Sequence, residues 1–435
     1  MSRHRGKSQS SPAVVLVATQ RSHWGACRFP SALRRGGFFV VILARPRSLI
    51  ALGRDRIRDR FVLLRSRRLV PVMRADLEHA IQGLSDLRIV PTDDGAHHLL
   101  ARLLRDDTDR SAPLSPTLRS ALDRSLGAAD NVAMRTDKTA IQALAQRTGV
   151  DVPAGGPVES EDEALRLGAG LGYPVLLKLP RGAGGGGIAL CEDAASLTAA
   201  YRRLVPDAKT PQGAIRRFME RLVLSDTPGT PSVQKFIAGE TGISCAYAEE
   251  GRTLAVMTAL VIAQRGPTRP ATAVRLVRHP AMEEATARMV AGLGASGFLS
   301  FDFVIEPGTG RALLLECNPR PIQMMPLGPR IGADLIGAMR AGRSGRLEGP
   351  ADPLDVALFP QEWGRDPQSP LLVHGIHDVP WDEPLLLAAM MKRAERHHRS
   401  LVSEGLAGPA EEPPVAPASW PALDTPSQAA RVAEP

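Results

Sequence analysis

Two runs of strand-forming residues, Leu299 to Glu306 and Arg311 to Asn318, flank the tetrapeptide Pro307-Gly-Thr-Gly310, and this pattern commits the segment to a tight antiparallel hairpin. With Pro307 to Gly310 as the turn, a near-symmetric register sets Asp302 opposite Glu316. Asn318 then falls on the same face two residues further on. Like charges directly opposite one another destabilise a ladder. They become useful when a hard divalent cation lies between them, because such ions take carboxylate and amide oxygens together with substrate phosphates. Asp302, Glu316 and Asn318 are therefore candidate ligands for Mg2+ or Mn2+. Cys317, between the last two, is expected to point into the core.

A second segment complements the first. Tyr173-Pro-Val-Leu-Leu-Lys178 ends an apolar strand on a lysine and runs within a few residues into Gly182-Ala-Gly-Gly-Gly-Gly187. A lysine among apolar neighbours must find an anion or lose its charge, and bare glycine N–H groups can approach a polyphosphate closely. Lysine is scarce here, confined to Lys7, Lys138, Lys178, Lys209, Lys235 and Lys392, whereas arginine is abundant. A retained lysine at a strand end points to a need for a compact charge on a flexible stem.

Along the chain, Ala13–Ala18, Phe38–Ala44 and Leu87–Pro91 read as strands, with helices over Ala75–Gly83 and Gly95–Leu104, so the first third is expected to form a small parallel sheet with crossover helices. Ser111 to Pro116 reads as a linker. Asp137 can cap a helix to about Arg147, which Gly149, Pro153 and Gly155 stop. Further on come a helix Glu161–Gly170, a strand Tyr173–Leu179, an exchange of strands around Ser232–Tyr247 and a helix Met282–Leu293. Asp378–Trp381 and a helical stretch Pro384–His398 look folded. The chain after about Gly405, rich in Pro, Ala and Glu, reads as a disordered tail.

Charge and cysteine usage narrow the class. The 435 residues carry 54 Lys and Arg against 46 Asp and Glu, a net +8, but the arginines are dispersed and aromatics make up only 4%, so the stacking platforms that a nucleic-acid binder uses are scarce and no nucleic-acid partner is expected. Cys27, Cys191, Cys245 and Cys317 stand alone, with no CxxC pair for zinc or redox chemistry. His97-His98, His374, His377 and His397-His398 have no spacing that links them to the hairpin. No apolar stretch reaches about 18 residues, so no membrane span is expected.

In this order, Asp137-Lys138, the glycine loop after Lys178, Gln234-Lys-Phe-Ile237, Asp302, and Glu316-Cys-Asn318-Pro-Arg320 resemble the ATP-grasp superfamily, from about Asn131 to Ala341. They look most like biotin carboxylase and the carbamoyl-phosphate synthetase halves. The resemblance implies an α/β and α+β chain in which an N-terminal parallel-sheet domain precedes an ATP-grasp core of two α+β subdomains that hold ATP between them. The implied layout is a basic arm 1–11, a front domain 12–130, the ATP-grasp domain 131–342, a C-terminal appendage 343–402 and a tail 403–435.

The same resemblance assigns residues. Lys138 and Lys178 match phosphate-binding lysines, and Gly182 to Gly187, chiefly Gly184, Gly185, Gly186 and Gly187, match a loop that folds over the phosphates. Gln234, Lys235, Phe236 and Ile237 match the adenine hinge, with the backbone of Phe236 and Ile237 as base contacts, and Glu240 a ribose-binding acid. Asp302, Glu316 and Asn318 match metal ligands. Arg320 matches an arginine on the transferred phosphate, with Arg275 as a further cationic contact. The implied activity is an ATP- and Mg-dependent ligase that joins small-molecule carboxylate and amine substrates, cytoplasmic and homodimeric. Two alternatives stay open: a non-catalytic ATP-binding regulator with this fold, and a bicarbonate-using carboxylase.

Overall fold

The structure, a computed structural model, describes residues 11–21, 23–52, 59–66, 69–108, 113–180, 187–205, 230–266, 269–344 and 352–403. Expectations for the basic arm up to residue 10, for Gly182 to Gly186 and for the tail beyond residue 403 lie outside them.

The front of the chain forms a parallel sheet in the order β3-β2-β1-β4, from β1 (Ala13–Ala18), β2 (Phe39–Ala44), β3 (Arg60–Leu63) and β4 (Leu87–Pro91). Every residue of β1 is buried, as it must be in a central strand covered on both faces. The helix expected from Ala75 begins at Val70 and ends at Ile81, because Pro71 in the first turn has no N–H to lose. The next helix spans Asp94–Thr108. The expected linker ends in a helix, Pro116–Leu126, whose cap is Ser115: its hydroxyl accepts the Leu118 N–H at 3.2 Å.

A second, antiparallel sheet has the order β5-β8-β6-β7, from β5 (Gly155–Pro157), β6 (Val175–Lys178), β7 (Ile188–Cys191) and β8 (Ser232–Lys235). The helices Glu161–Leu171 and Ala194–Leu204 cover it, around Val175, Leu177, Leu197 and Val233. β6 is shorter than the expected Tyr173–Leu179. β6 and β7 form an antiparallel pair in which Lys178 lies opposite Ile188.

The third sheet has seven strands in the order β13-β12-β9-β10-β11-β14-β15: β9 (Glu240–Glu249), β10 (Arg252–Gln264), β11 (Ala271–Leu276), β12 (Gly297–Ile305), β13 (Ala312–Asn318), β14 (Leu354–Ala357) and β15 (Ile376–His377). One face, through Leu299, Phe301, Phe303 and Cys317, packs on the helices Lys138–Arg147 and Pro280–Leu293. On the other, Phe298 stacks edge-on against Phe29 of the front domain with ring centroids 4.8 Å apart, in a core shared with Cys245, Tyr247, Leu33 and Val40. Each such aromatic side chain contributes about 1.5–3 kcal/mol of burial. This shared core seats the front sheet over the face that carries Asp302 and Glu316. The segment expected as an appendage instead donates β14 and β15 to the large sheet, with β14 antiparallel to β11.

Candidate functional site

The hairpin has the expected register at its acidic end: Asp302 pairs with Glu316 and Ser300 with Asn318. Its turn closes through Gly310 N–H to the Glu306 carbonyl at 3.0 Å, with Gly308 and Gly310 at φ 80° and 68°, a conformation glycine adopts without strain. Asn318 Nδ2 donates to Asp302 Oδ2 at 3.4 Å, and its Oδ1 accepts from Arg320 Nη2 at 3.3 Å.

Both lysines arrive from other elements. Lys138 is the first residue of its helix, placed there by Asp137, whose Oδ1 accepts the Thr139 and Ala140 N–H groups at 3.0 Å each. Its ammonium lies 3.1 Å from Glu316 Oε2. A cation at a helix N-terminus opposes the helix dipole, and Glu316 compensates it. Lys178, 3% exposed at the end of β6, donates to the Gln234 side-chain oxygen on the neighbouring β8. Gln234 is itself anchored by Nε2 to the Pro153 carbonyl at 3.4 Å.

The charges are strained in an informative way. Burial pulls Lys178 down to about 8, with Glu316 working to keep it charged and Lys138 adding to the pull. Burial, and then the adjacent Glu316 charge, push the Asp302 carboxyl well above its ordinary range. Burial acts against the charged form of Glu316 too, but Lys138, the Asp302 hydrogen bond and Lys178 together outweigh it and hold that carboxyl below its usual value. Two acids that cannot both ionise at ease, with an amide oxygen beside them, form a donor set that fits a hard divalent cation. Among the described residues no group of three or more His, Cys, Asp or Glu offers another metal site.

Some expected residues are engaged elsewhere. Lys235 follows Gln234 on β8 and so points to the opposite face, where its ammonium donates to the Gly172 carbonyl at 2.7 Å. Phe236 N–H donates to the Pro174 carbonyl at 3.2 Å, and the Ile237 carbonyl accepts from Gly239 at 3.0 Å, so those two backbone groups are already used. Arg275, on β11, is gripped on two nitrogens by Asp355 of β14, at 2.6 and 3.0 Å, with Glu240 as its other acidic neighbour. Its guanidinium is therefore held by Asp355, with Glu240 within electrostatic reach. The Gly187 carbonyl accepts the Leu179 N–H at 2.8 Å.

Two residues of the front domain join the site without having been anticipated. Asp94, the first residue of its helix, accepts from Arg320 Nε at 2.7 Å. His23, just beyond β1, is drawn down to about 4 by burial and then by Arg320, against Asp93 and Asp94, and its Nε2 is shielded without a partner. Neither belongs to a local motif. The available signal was their position at the carboxyl ends of adjacent parallel strands on either side of a change in winding direction, where open α/β sheets bind ligands. His97 is completely buried, with its Nε2 2.9 Å from the Val132 carbonyl.

Three sheets arranged in this way, with two lysines and an acidic hairpin converging from separate elements, have the ATP-grasp fold, and part of the chain is similar in sequence to members of that superfamily. Residues 137–230 match the family described as carbamoyl-phosphate synthase L chain, ATP binding domain. The carbamoyl phosphate synthase large chain of Methanocorpusculum labreanum is 25% identical over 197 residues, which are 45% of this chain and 18% of that relative. The chain thus spans less than a fifth of the length of the first curated relatives it matches. Two solved structures have the same fold. The biotin carboxylase domain of 2-oxoglutarate carboxylase from Hydrogenobacter thermophilus, in complex with MgADP, ADP and bicarbonate, superposes with a TM-score of 0.55 at 18% identity, covering 78% of this chain and 71% of that one. The N5-carboxyaminoimidazole synthetase of Staphylococcus aureus, complexed with ADP, gives 0.54 at 12% identity, covering 80% and 82%.

Proposed function

We propose that the chain is an ATP- and Mg-dependent ligase that activates a carboxylate as an acyl phosphate for attack by an amine. The observation that carries this reading is the meeting of Lys138, from a helix, and Lys178, from the small sheet, at the opposed carboxylates Asp302 and Glu316 of the large sheet. A divalent cation held by Asp302, Glu316 and Asn318 would neutralise charge on the polyphosphate. Lys178, short of a charged partner within hydrogen-bond reach, and Lys138, released from Glu316, hold the phosphate oxygens. The adenine lies against the hinge Gln234 to Ile237, met by the Ile237 N–H and the Phe236 carbonyl, with Glu240 on the ribose. Gly184 to Gly187 fold over the phosphates.

The chemistry is phosphoryl transfer followed by acyl transfer. A carboxylate oxygen attacks the γ-phosphorus, the bond to the β,γ-bridging oxygen breaks and ADP leaves. The amine nitrogen then attacks the acyl carbon, inorganic phosphate departs with the bonding electrons and the nitrogen gives up a proton. Arg320 stabilises the charge on the transferred group. This work is positioning and charge neutralisation, for which no protein nucleophile is needed.

Bicarbonate is the one alternative carboxylate that a specific observation favours, since a solved structure of the same fold was obtained with bicarbonate bound. A non-catalytic ATP-binding regulator has less support, because each expected phosphate lysine and acidic ligand is present. No helix among the described residues is long and apolar enough to cross a membrane, in keeping with a cytoplasmic enzyme. A homodimer is the proposed assembly. The test is release of ADP and phosphate from Mg-ATP against pooled amino acids, small carboxylic acids and bicarbonate, with Glu316→Ala as control. Turnover that requires particular acceptors and disappears in the variant supports the ligase; tight ATP binding with no turnover in any pool overturns it in favour of a regulator.

A further inference from the structure

Arg320 is set between Pro319 and Pro321, so the backbone that carries it has little freedom and the guanidinium is left to be fixed by its side-chain partners. Two such partners are seen among the described residues. Asn318 Oδ1 takes Nη2 at 3.3 Å, and Asp94 Oδ1 takes Nε at 2.7 Å from a point 226 residues earlier in the chain. Both members of the ion pair are largely withdrawn from solvent, with side chains 13% and 25% exposed. The helix has no need of the arginine, because an acid at the first residue of a helix is already favoured by the dipole. Arg320 gains more: a charged acceptor on its ε-nitrogen, while Nη1 takes no part in either of these two bonds.

The base of Asp94 is itself rigid. Asp93, 1% exposed, accepts Thr19 N–H at 2.7 Å, Gln20 N–H at 3.0 Å and Ala96 N–H at 2.9 Å, and also the Thr19 hydroxyl. This ties the ends of β1 and β4 to the start of the helix. Asp94 is therefore delivered to Arg320 by an element that cannot easily shift.

We propose that Asp94 is a positioning residue of the transfer site: the front sheet uses it to hold the Arg320 guanidinium in the orientation that meets the transferred phosphoryl group. The proposal rests on the ligase reading above. Occupation of the crevice at the ends of β1 and β4 and the aim of Arg320 are then parts of one arrangement.

The test uses the full chain with Asp94→Asn, Asp94→Glu, Arg320→Ala and the Asp94→Asn/Arg320→Ala double variant. Calorimetry with Mg2+ gives the affinity for a non-hydrolysable ATP analogue relative to ADP, a ratio that reads the γ-phosphate contact and does not depend on turnover. Acceptor-stimulated kcat and KM are measured alongside. Asp94→Asn is expected to lower the affinity ratio and kcat by roughly 10-fold or more, with ADP affinity within about twofold of the parent. Asp94→Glu should recover part of both, and the double variant should be no worse than Arg320→Ala alone. An unchanged ratio and kcat in Asp94→Asn, additive losses in the double variant, or a fall in ADP affinity and thermal midpoint without a change in the ratio would each overturn the positioning role. A parent protein that binds neither nucleotide would instead overturn the ligase reading, and the proposal with it.

Discussion

Lys138 Nζ lies 3.1 Å from Glu316 Oε2, so a phosphate-binding candidate and a metal-ligand candidate are bonded to each other across two elements. The lysine sets a positive charge directly against the acidic end of the hairpin.

Replacing Lys138 by Met should therefore cost more stability without a cation than with one. Removal of one partner from a largely buried pair costs about 3–5 kcal/mol, and partial exposure of Glu316 lowers that to roughly 2–4 kcal/mol. Thermal melts of Lys138→Met in chelator and in excess Mg2+ check this, with the midpoint recovering in Mg2+. A midpoint indifferent to Mg2+ would mean that Asp302 and Glu316 do not hold a cation.

Lys178 should show the opposite balance. Its charge is buried with a neutral hydrogen-bond partner, and burial already draws it down to about 8. Lys178→Met is expected to gain on the order of 1–3 kcal/mol in stability while it loses ATP affinity by 10-fold or more. Denaturant unfolding and nucleotide titration on the same sample decide the matter; equal nucleotide affinity in variant and parent would remove Lys178 from the phosphate site.

The sign of one pH effect is set by Asp378. This carboxyl accepts Phe359 N–H and Gln323 Nε2 and is raised by burial from 3.8 to about 6. An acid raised on folding favours the fold in its protonated form. Its contribution is complete below about pH 3.8 and is lost as pH rises through about 6, at up to roughly 1.4 kcal/mol per pH unit. Between pH 5 and 7 the parent should lose stability that Asp378→Asn does not lose. Chemical denaturation at a series of pH values measures the difference, and parallel curves for the two proteins would contradict it.

Gly239 lies just past the hinge, and a Cβ there would come within 2.0 Å of the Ile305 carbonyl oxygen. No side-chain rotation relieves a backbone clash, so Gly239→Ala should separate the start of β9 from β12 and cost about 2–4 kcal/mol. Nucleotide affinity should fall with it. A variant with parental melting would show that the two strands yield more readily than their spacing implies.

The sequence makes the acidic hairpin legible because a turn between two strand runs determines which residues oppose, so Asp302 and Glu316 could be paired on paper. Helix capping was similarly local: Asp137 starts its helix where its side chain serves the first N–H groups. The 13-residue strand β10 was not anticipated, since its run from Leu254 to Ala263 is apolar almost without alternation and a strand covered on both faces loses its period. The helix Pro116–Leu126 was masked by the prolines before it. Asp94 with Arg320, and Asp355 with Arg275, are pairings between distant segments that no spacing rule connects.

β14 lies antiparallel to β11, from Ala273 opposite Ala357 to Leu276 opposite Leu354, and covers an edge of the large sheet that would otherwise face water. A chain cut before Leu354 would leave the N–H and C=O groups of β11 as an open template for a strand from another copy. Self-association visible as turbidity, ahead of any change in chemistry, is what such a shortened chain should show first, so the outer strands act as this sheet's guard against aggregation.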